Sequence, residues 1–531
     1  MPNTQNSTDA IIIGGGHNGL VCAYYLASKG LKVNIFERRP IIGGAAVTEE
    51  FHPGFKNSVA SYTVSLLNPE IIKEMKLKEY GLKIVKRPIS NFLPIDDKTY
   101  LKLGGGLERT QEEFKKFSEK DAARLPEYYD RIEAVADVLR DISVKTPPNP
   151  KKGIKAVLGA ALQLWPIATK GNQVHRDVYD LFTKSARSFL DSWFENEHIK
   201  AAFGFDSTVG NFASPDTPGS AYVLLHHVFG EIDGEKGVWG HAIGGMGSIT
   251  QAMEKACKNM GVKIFTDAPV NKVIVKDNAA VGIELEDGSS IVANKIISNL
   301  NPKLLYKKLI SEDELEPEFN RGMDGYKCGS GTFRMNVALA ELPDFSVLPG
   351  KEVGEHHQSG IVIAPTLDYM DKAYIDAKSQ GWSSAPIVEM LIPSTIDNTL
   401  APDGKHVASL FCQQFSPTMP DGSSWHDHRL AAADTIIETV TKHAPNFRES
   451  ILGMMILSPL DLEEKFGLIS GDIMHGQMSL DQMWAARPLM NFGDYRGPLK
   501  SLYMCGSGTH PGGGVTGLPG KNAAREILKD V

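Results

Sequence analysis

Six residues near the start of the chain have the types and spacing that phosphate binding calls for. Gly14-Gly15-Gly16-His17-Asn18-Gly19 follows the apolar run Ala10-Ile11-Ile12-Ile13 and precedes a stretch with helical patterning. In that setting Gly14 allows a tight turn, Gly16 lets backbone approach a pyrophosphate, and Gly19 lets the helix pack on the strand. A helix starting there offers free N–H groups and its positive dipole end to phosphate. Glu37 closes the next strand, Leu31 to Phe36, where its carboxylate meets a ribose diol. Strand, glycines, helix, second strand and acid fall in register, which predicts a dinucleotide site.

NAD and FAD sites share this clamp, and Gly43-Gly44 separates them. In FAD proteins of the glutathione reductase type a second glycine pair just past the acid lets the chain run close to the cofactor. Glu37-Arg38-Arg39-Pro40-Ile41-Ile42-Gly43-Gly44-Ala45-Ala46 has that spacing. The far end agrees. Ser501 to Cys505 reads as a strand, Gly506 to Val515 as a glycine-dense turn, and Pro519 to Lys529 as a helix. A helix N-terminus aimed at a flavin stabilises the negative charge that develops on reduction.

Elements that complete this domain are scattered. A helix over Ser248 to Met260 leads into strands at Gly261–Phe265, Val270–Val275, Ala280–Leu285, Ser290–Ala293 and Lys295–Ser298. The expected fold class is α/β: a Rossmann-like FAD-binding domain assembled from discontinuous segments, 1–75, 240–305 and 495–531. An α+β substrate domain with a helical insert takes 76–239 and 306–494. Helical patterning runs from Gln111 through Val138 and from His175 to Phe203, with a break at Pro147-Pro148-Asn149-Pro150. Farther on come strands at Ile361–Ala364 and Ile387–Ile392 and a helix from His426 to His443.

At 531 residues, 42% hydrophobic and 23% charged, the chain has the composition of a globular protein with a large core. Its 56 basic residues fall short of its 64 acidic ones, which argues against a nucleic-acid partner. The five cysteines form no CxxC pair, so neither a dithiol redox centre nor a cysteine zinc site is expected. Met1 to Asp9 lacks basic residues and an apolar core, the pattern of an untargeted cytoplasmic start. Ile154, Val157, Leu158, Ala161, Leu162 and Trp165 recur at helical spacing behind Lys151-Lys152, with Pro166 expected to end or kink the helix. That helix reads as a lid, or as an interfacial helix touching a membrane as a peripheral protein would.

No metal site is expected. His226-His227 and His356-His357, if on strands, would point to opposite faces, and His426-Asp427-His428 reads as a solvated helix start. His510 sits inside the terminal glycine turn, where it either approaches the flavin or braces the turn, and it is the one candidate catalytic residue. Arg487-Pro488 either meets the substrate or shapes a turn.

With these motifs in place, the chain resembles the FAD-dependent desaturase and isomerase branch of the flavin amine oxidase superfamily. That branch includes phytoene desaturases, carotenoid isomerases and retinol saturases, and the group named for a pyridine nucleotide-disulfide oxidoreductase domain. The resemblance is carried by Ile41 to Glu50, Ser214 to Ser220, Val223 to His227, Gly244 to Gly247, Met478 to Gln482 and Cys505 to Val515. It implies that Gly14, Gly15, Gly16, His17, Asn18 and Gly19 serve the pyrophosphate and Glu37 the adenosine ribose. Arg38, Gly43, Gly44 and Ala45 would lie along the cofactor and Val270 beside adenine. Gly506, Gly512, Gly513, Gly514, Val515 and Gly517 would line the ribityl and flavin end. Ala45 replaces the arginine usual in amine oxidases and Ser507 an acid, departures that favour the carotenoid branch.

The implied activity is hydride transfer from a hydrophobic, polyene or lipid-like substrate to flavin N5, with oxygen or a quinone as acceptor. Two alternatives stay open: a non-redox, flavin-dependent polyene isomerase, and a flavin-loaded interaction or assembly protein at a membrane. A homo-oligomer is compatible with all three.

Overall fold

The computed structural model of the protein describes residues 8–531; Met1 to Ser7, on which the expectation of an untargeted start largely rests, lie outside the described residues. Thr8–Ile13 forms the middle of a seven-stranded sheet, with Ile12 beside Ile35 of Val33–Phe36 on one side and Ile297 of Ser290–Ser298 on the other. Both ladders are parallel. A strand flanked and covered in this way is buried on both faces, which is why its sequence is an unbroken apolar run.

Lys263–Phe265 extends the sheet beyond Val33–Phe36. At the other side, the second half of Ser290–Ser298 pairs in parallel with Leu502–Met504, and its first half pairs antiparallel with Ala279–Leu285, which in turn meets Val270–Lys276. The two short strands expected between 290 and 298 are thus one. Asn294 does not break it, because it falls on an exposed position of the alternation while the ladder to Thr8–Ile13 runs through.

Helices His17–Ala27, Gly247–Asn259 and Leu518–Ile527 cover this sheet, and Leu20, Val21, Ile249, Met253, Ala523 and Ile527 share one core. The first and last of these helices cross closely. A Cβ at Gly520 would sit 2.2 Å from the carbonyl oxygen of Asn18, so only glycine fits there.

A second seven-stranded sheet runs in the order Ile451–Leu457, Phe333–Leu339, His406–Gln413, Ile387–Leu391, Gly360–Ile363, Asn91–Pro94, Tyr100–Leu103. Its pairs are antiparallel except that between Gly360–Ile363 and Asn91–Pro94. Helix Trp425–His443 packs on one face, bringing Ile436 and Val440 against Met335, Val337 and Leu410. The alternate residues Arg334, Asn336, Glu389 and Ser409 are equally buried but polar, and Arg334, Asn336 and Glu389 meet the segment Asn57 to Tyr62.

The helical insert comprises Leu107–Lys115, Glu119–Ser143, Ile154–Ala168, Asn172–Thr183, Ala186–Asp191 and Glu197–Gly204. The long helix expected through 111–138 is interrupted because the Ser118 hydroxyl accepts from the Asp121 N–H and caps a new start. Ser185 and Asn196 likewise cap new helices inside 175–203. Helix Ile154–Ala168 continues through Pro166 to its end two residues later, where the missing N–H costs a single bond of the last turn. Among the described residues no helix is long and apolar enough to cross a membrane.

Candidate functional site

Helix His17–Ala27 starts at Gly16 with no side-chain cap, so the free N–H groups of its first turn open toward a cleft of about 550 Å³. Of the residues singled out from the sequence, Gly14, Gly16, His17, Asn18, Glu37, Arg38, Gly44, Ala45, Val270, Gly514 and Val515 line this cleft. Glu37 is buried there, its Oε2 accepting from the Gly15 N–H at 2.8 Å and its Oε1 from the Arg39 N–H at 3.0 Å. Arg38 reaches across to donate to the Glu464 carbonyl.

Gly15, Gly19, Gly43, Gly506 and Gly517 stand behind the wall. A Cβ at Gly15 would meet Ile42 at 2.4 Å, and one at Gly19 would meet the Gly14 carbonyl at 2.5 Å, so both positions need glycine for the turn to close. Gly43 bridges to Gly16, Gly506 lies on the Asn299 backbone, and Gly517 at φ +74° starts the last helix.

His17 Nε2, Asn18 Oδ1 and His475 Nδ1 are buried without a hydrogen-bond partner, and all three side chains face the cleft. Buried polar atoms are seldom left unpaired. These mark where a polar ligand belongs. Burial holds His17 at about 3, with His475 adding to the depression, and burial with the nearby Arg487 holds His475 at about 4; both rings are neutral near pH 7.

His475 was not legible in the sequence. It occupies a left-handed backbone conformation (φ +59°) in a loop pinned from three sides: Asp472 accepts from the Met474 N–H, Arg487 donates to the Met474 and Gly476 carbonyls, and Tyr326 donates to the His475 carbonyl.

The polar face of the second sheet roofs the cleft. Tyr62 stacks on Phe411 with centroids 4.6 Å apart, and the Arg334 guanidinium lies 4.8 Å from the centre of the Tyr62 ring. The Tyr62 hydroxyl donates to Glu389, whose carboxyl is pushed up by burial against the opposing pull of Arg87. Burial brings Arg334 down to about 10. The sequence signal for this cluster was a charged residue inside an otherwise apolar strand, as in Phe333-Arg334-Met335 and Val388-Glu389-Met390.

A second cavity of about 690 Å³ adjoins the cleft, sharing Ser65, Leu66 and Met474 with its wall. The terminal glycine turn divides the two: Gly514 and Val515 face the cleft, and His510, Gly512 and Gly513 the second cavity. Most of its wall is apolar, including Leu139, Val178, Phe182, Leu225, Phe229 and Met478. Leu164 and Ile167 close it from helix Ile154–Ala168. That helix leaves Ile154, Val157, Leu158, Leu162 and Trp165 exposed on its outer side, Leu162 at 74% and Trp165 at 64%.

His510 is buried and held at about 4 chiefly by burial; its Nε2 lies 3.2 Å from the Ile142 carbonyl, tying the turn to helix Glu119–Ser143. Arg487 is buried on the second cavity's wall and donates to the carbonyls of Ser507, Gln482, Met474 and Gly476.

The paired histidines differ from expectation in setting. His356 and His357 lie in the turn Glu355–Gln358 rather than on a strand, with ring centroids 3.9 Å apart. The Gly354 N–H and the Pro343 carbonyl occupy the two His357 nitrogens. His226–Phe229 is a short helix, also not a strand, and the side chains of His226 and His227 lie outside the described ones. His426, at the start of helix Trp425–His443, meets Glu464 at 3.0 Å and Asp461 at 4.0 Å, while Arg429 already holds Asp461. All five cysteines are free.

Comparison with known proteins accounts for this arrangement. The model of the family described as flavin containing amine oxidoreductase matches residues 19–332. Pyridine nucleotide-disulfide oxidoreductase domain-containing protein 2 of Rattus norvegicus is 39% identical, over 98% of this chain and 94% of its own length. The lycopene-forming phytoene desaturase of Pantoea ananas is 23% identical, over 98% of this chain and 99% of its own length. Cyclohexylamine oxidase from Brevibacterium oxydans shares the fold, with a TM-score of 0.57 and 15% identity over 99% of each chain.

The cleft fits the cofactor of that family: an acid for a ribose, an uncapped helix N-terminus for the pyrophosphate, unpaired polar atoms along the wall, and a glycine turn at the far end. The chain belongs to the flavin containing amine oxidoreductase family and is an FAD-dependent oxidoreductase.

Proposed function

We propose that the protein is a dehydrogenase of the desaturase type, acting on a hydrophobic substrate held in the second cavity. The observation that carries this reading is that cavity itself: about 690 Å³, walled by Leu, Val, Phe and Met side chains, and bounded by the glycine turn that also faces the cleft. In this reading the clamp and Glu37 hold the adenosine half of FAD, and Arg38, Gly44, Ala45 and Val270 lie along it. Gly514 and Val515 border the flavin end. When bound, the flavin supplies hydride acceptance, and the protein supplies orientation and a water-excluding wall.

Helices Ile154–Ala168 and Asn172–Thr183 lid the cavity. Their inner side chains meet the substrate and the exposed apolar side of the first rests on a lipid surface, with the exposed Lys155 toward anionic headgroups. A polyene or lipid-like molecule would then pass from lipid to cavity without crossing water. Oxygen or a quinone reoxidises the cofactor.

The test is an anaerobic titration of the purified FAD-loaded protein with long-chain apolar compounds. Bleaching of the flavin absorbance by one of them is expected. Turnover only after prereduction, with no net electron consumption, would replace this reading with an isomerase. A flavin that no apolar compound perturbs or reduces, in a protein that co-purifies with a partner, would replace it with an assembly role.

A further inference from the structure

The second cavity is apolar but not uniformly so. Two residues of its wall, Tyr222 and Trp484, hold a buried donor without a partner, the Tyr222 hydroxyl and the Trp484 indole N–H. Tyr222 is 5% exposed, its ring stacked on Phe182 with centroids 5.5 Å apart and planes 9° apart. The stacking fixes where its hydroxyl points. Trp484 has a left-handed backbone conformation, φ +49°, in the tight turn Trp484–Ala486; a bulky residue held so is strained, and such strain persists where the surroundings impose it.

Arg487 stands on the same wall. Its hydrogen bonds run to neutral carbonyl oxygens, and Asp472, the acid whose charge it feels, spends its oxygens on the N–H groups of Gly329 and Met474. The positive charge of Arg487 is also felt at the Tyr222 hydroxyl. His510 completes the wall as a neutral ring engaged with the Ile142 carbonyl. The acids bordering the cavity do not offset this corner: Glu70 is exposed and paired with Lys521, and Glu231 is half-buried.

We infer that the substrate is not a pure hydrocarbon but carries a carbonyl oxygen, as a ketone, ester or carboxylate, which accepts hydrogen bonds from Tyr222 and Trp484 beside Arg487. A pure hydrocarbon would leave two buried donors unsatisfied, which is costly. A carbonyl group offers lone pairs and no proton of its own, matching unpaired donors and a positive field. The rest of the cavity takes the apolar chain. Because Arg487 also donates to the Ser507 carbonyl, this corner belongs to the end of the cavity nearest the terminal glycine turn, so the oxygenated end of the molecule, not its tail, lies toward the cofactor. The inference rests on the reading of the second cavity as the substrate site.

The experiment compares 2-tridecanone with tridecane as ligands of the FAD-loaded protein, read by perturbation of the flavin absorption spectrum. The ketone is expected to bind at least about tenfold more tightly, two hydrogen bonds being at stake. Tyr222→Phe and Trp484→Phe should each weaken the ketone about three- to tenfold and bind tridecane as tightly as the parent or more tightly, because the unsatisfied donor is gone. Unaltered FAD content and undiminished tridecane affinity show that the variants are folded. Equal affinity for the two probes, or variants that weaken both alike, overturns the carbonyl assignment while leaving the apolar-substrate reading intact. If neither probe perturbs the flavin, both fall together.

Discussion

Glu37 shows how much one side chain does at this site. Its two oxygens hold the Gly15 and Arg39 N–H groups, fixing the turn inside the clamp and the strand end that faces it, and it stays on the wall of the cleft, where the proposed function gives it a ribose. Glu37→Ala should weaken FAD by about tenfold or more, since hydrogen bonds to a charged group contribute roughly 1.5–3 kcal/mol; fluorescence titration of the apoprotein with FAD measures it. An affinity within twofold of the parent would show that Glu37 serves the turn alone. That Glu37, Gly14, Gly16 and Gly44 border one cleft was legible because they lie close together along the chain. Tyr62, His475, Tyr222 and Trp484 were not, because they come from separate segments that converge only in three dimensions, and their types are ordinary for a core.

At the scale of elements, strands and helices could be read wherever a single period dominated. Thr8–Ile13, Gly247–Asn259 and Trp425–His443 lie within a residue or two of expectation. The insert was harder, because Ser118, Ser185 and Asn196 restart helices without disturbing the apolar spacing on either side. Spacing did not show which side of helix Ile154–Ala168 meets the second cavity: Leu164 and Ile167 line it, while Leu162 and Trp165 are exposed. The double change Leu162→Asp with Trp165→Asp should abolish sedimentation with phosphatidylglycerol vesicles and leave FAD content unchanged. Retained sedimentation would mean that this face does not meet lipid.

Across the whole molecule, the cleft is walled by both sheets: the clamp and Glu37 from one, Phe411 from the other, and the loop bearing Tyr62 between them. A ligand spanning these parts stabilises the fold as a unit. FAD at a hundred times its Kd should add about 2.7 kcal/mol and raise the unfolding temperature of the apoprotein in a single transition. Two transitions, with FAD moving only one, would mean that the sheets melt independently. The strand Ser290–Ser298 bears the assembly, taking Thr8–Ile13 on one side and Leu502–Met504 on the other. During synthesis this has a cost in time. A ribosome adding about 5–20 residues per second delivers the first strand some tens of seconds before the last. Throughout that interval the nascent clamp waits with one flank of its sheet open, and a chaperone that shields an unfinished edge would matter more to the yield of this protein than to one whose domains follow each other along the chain.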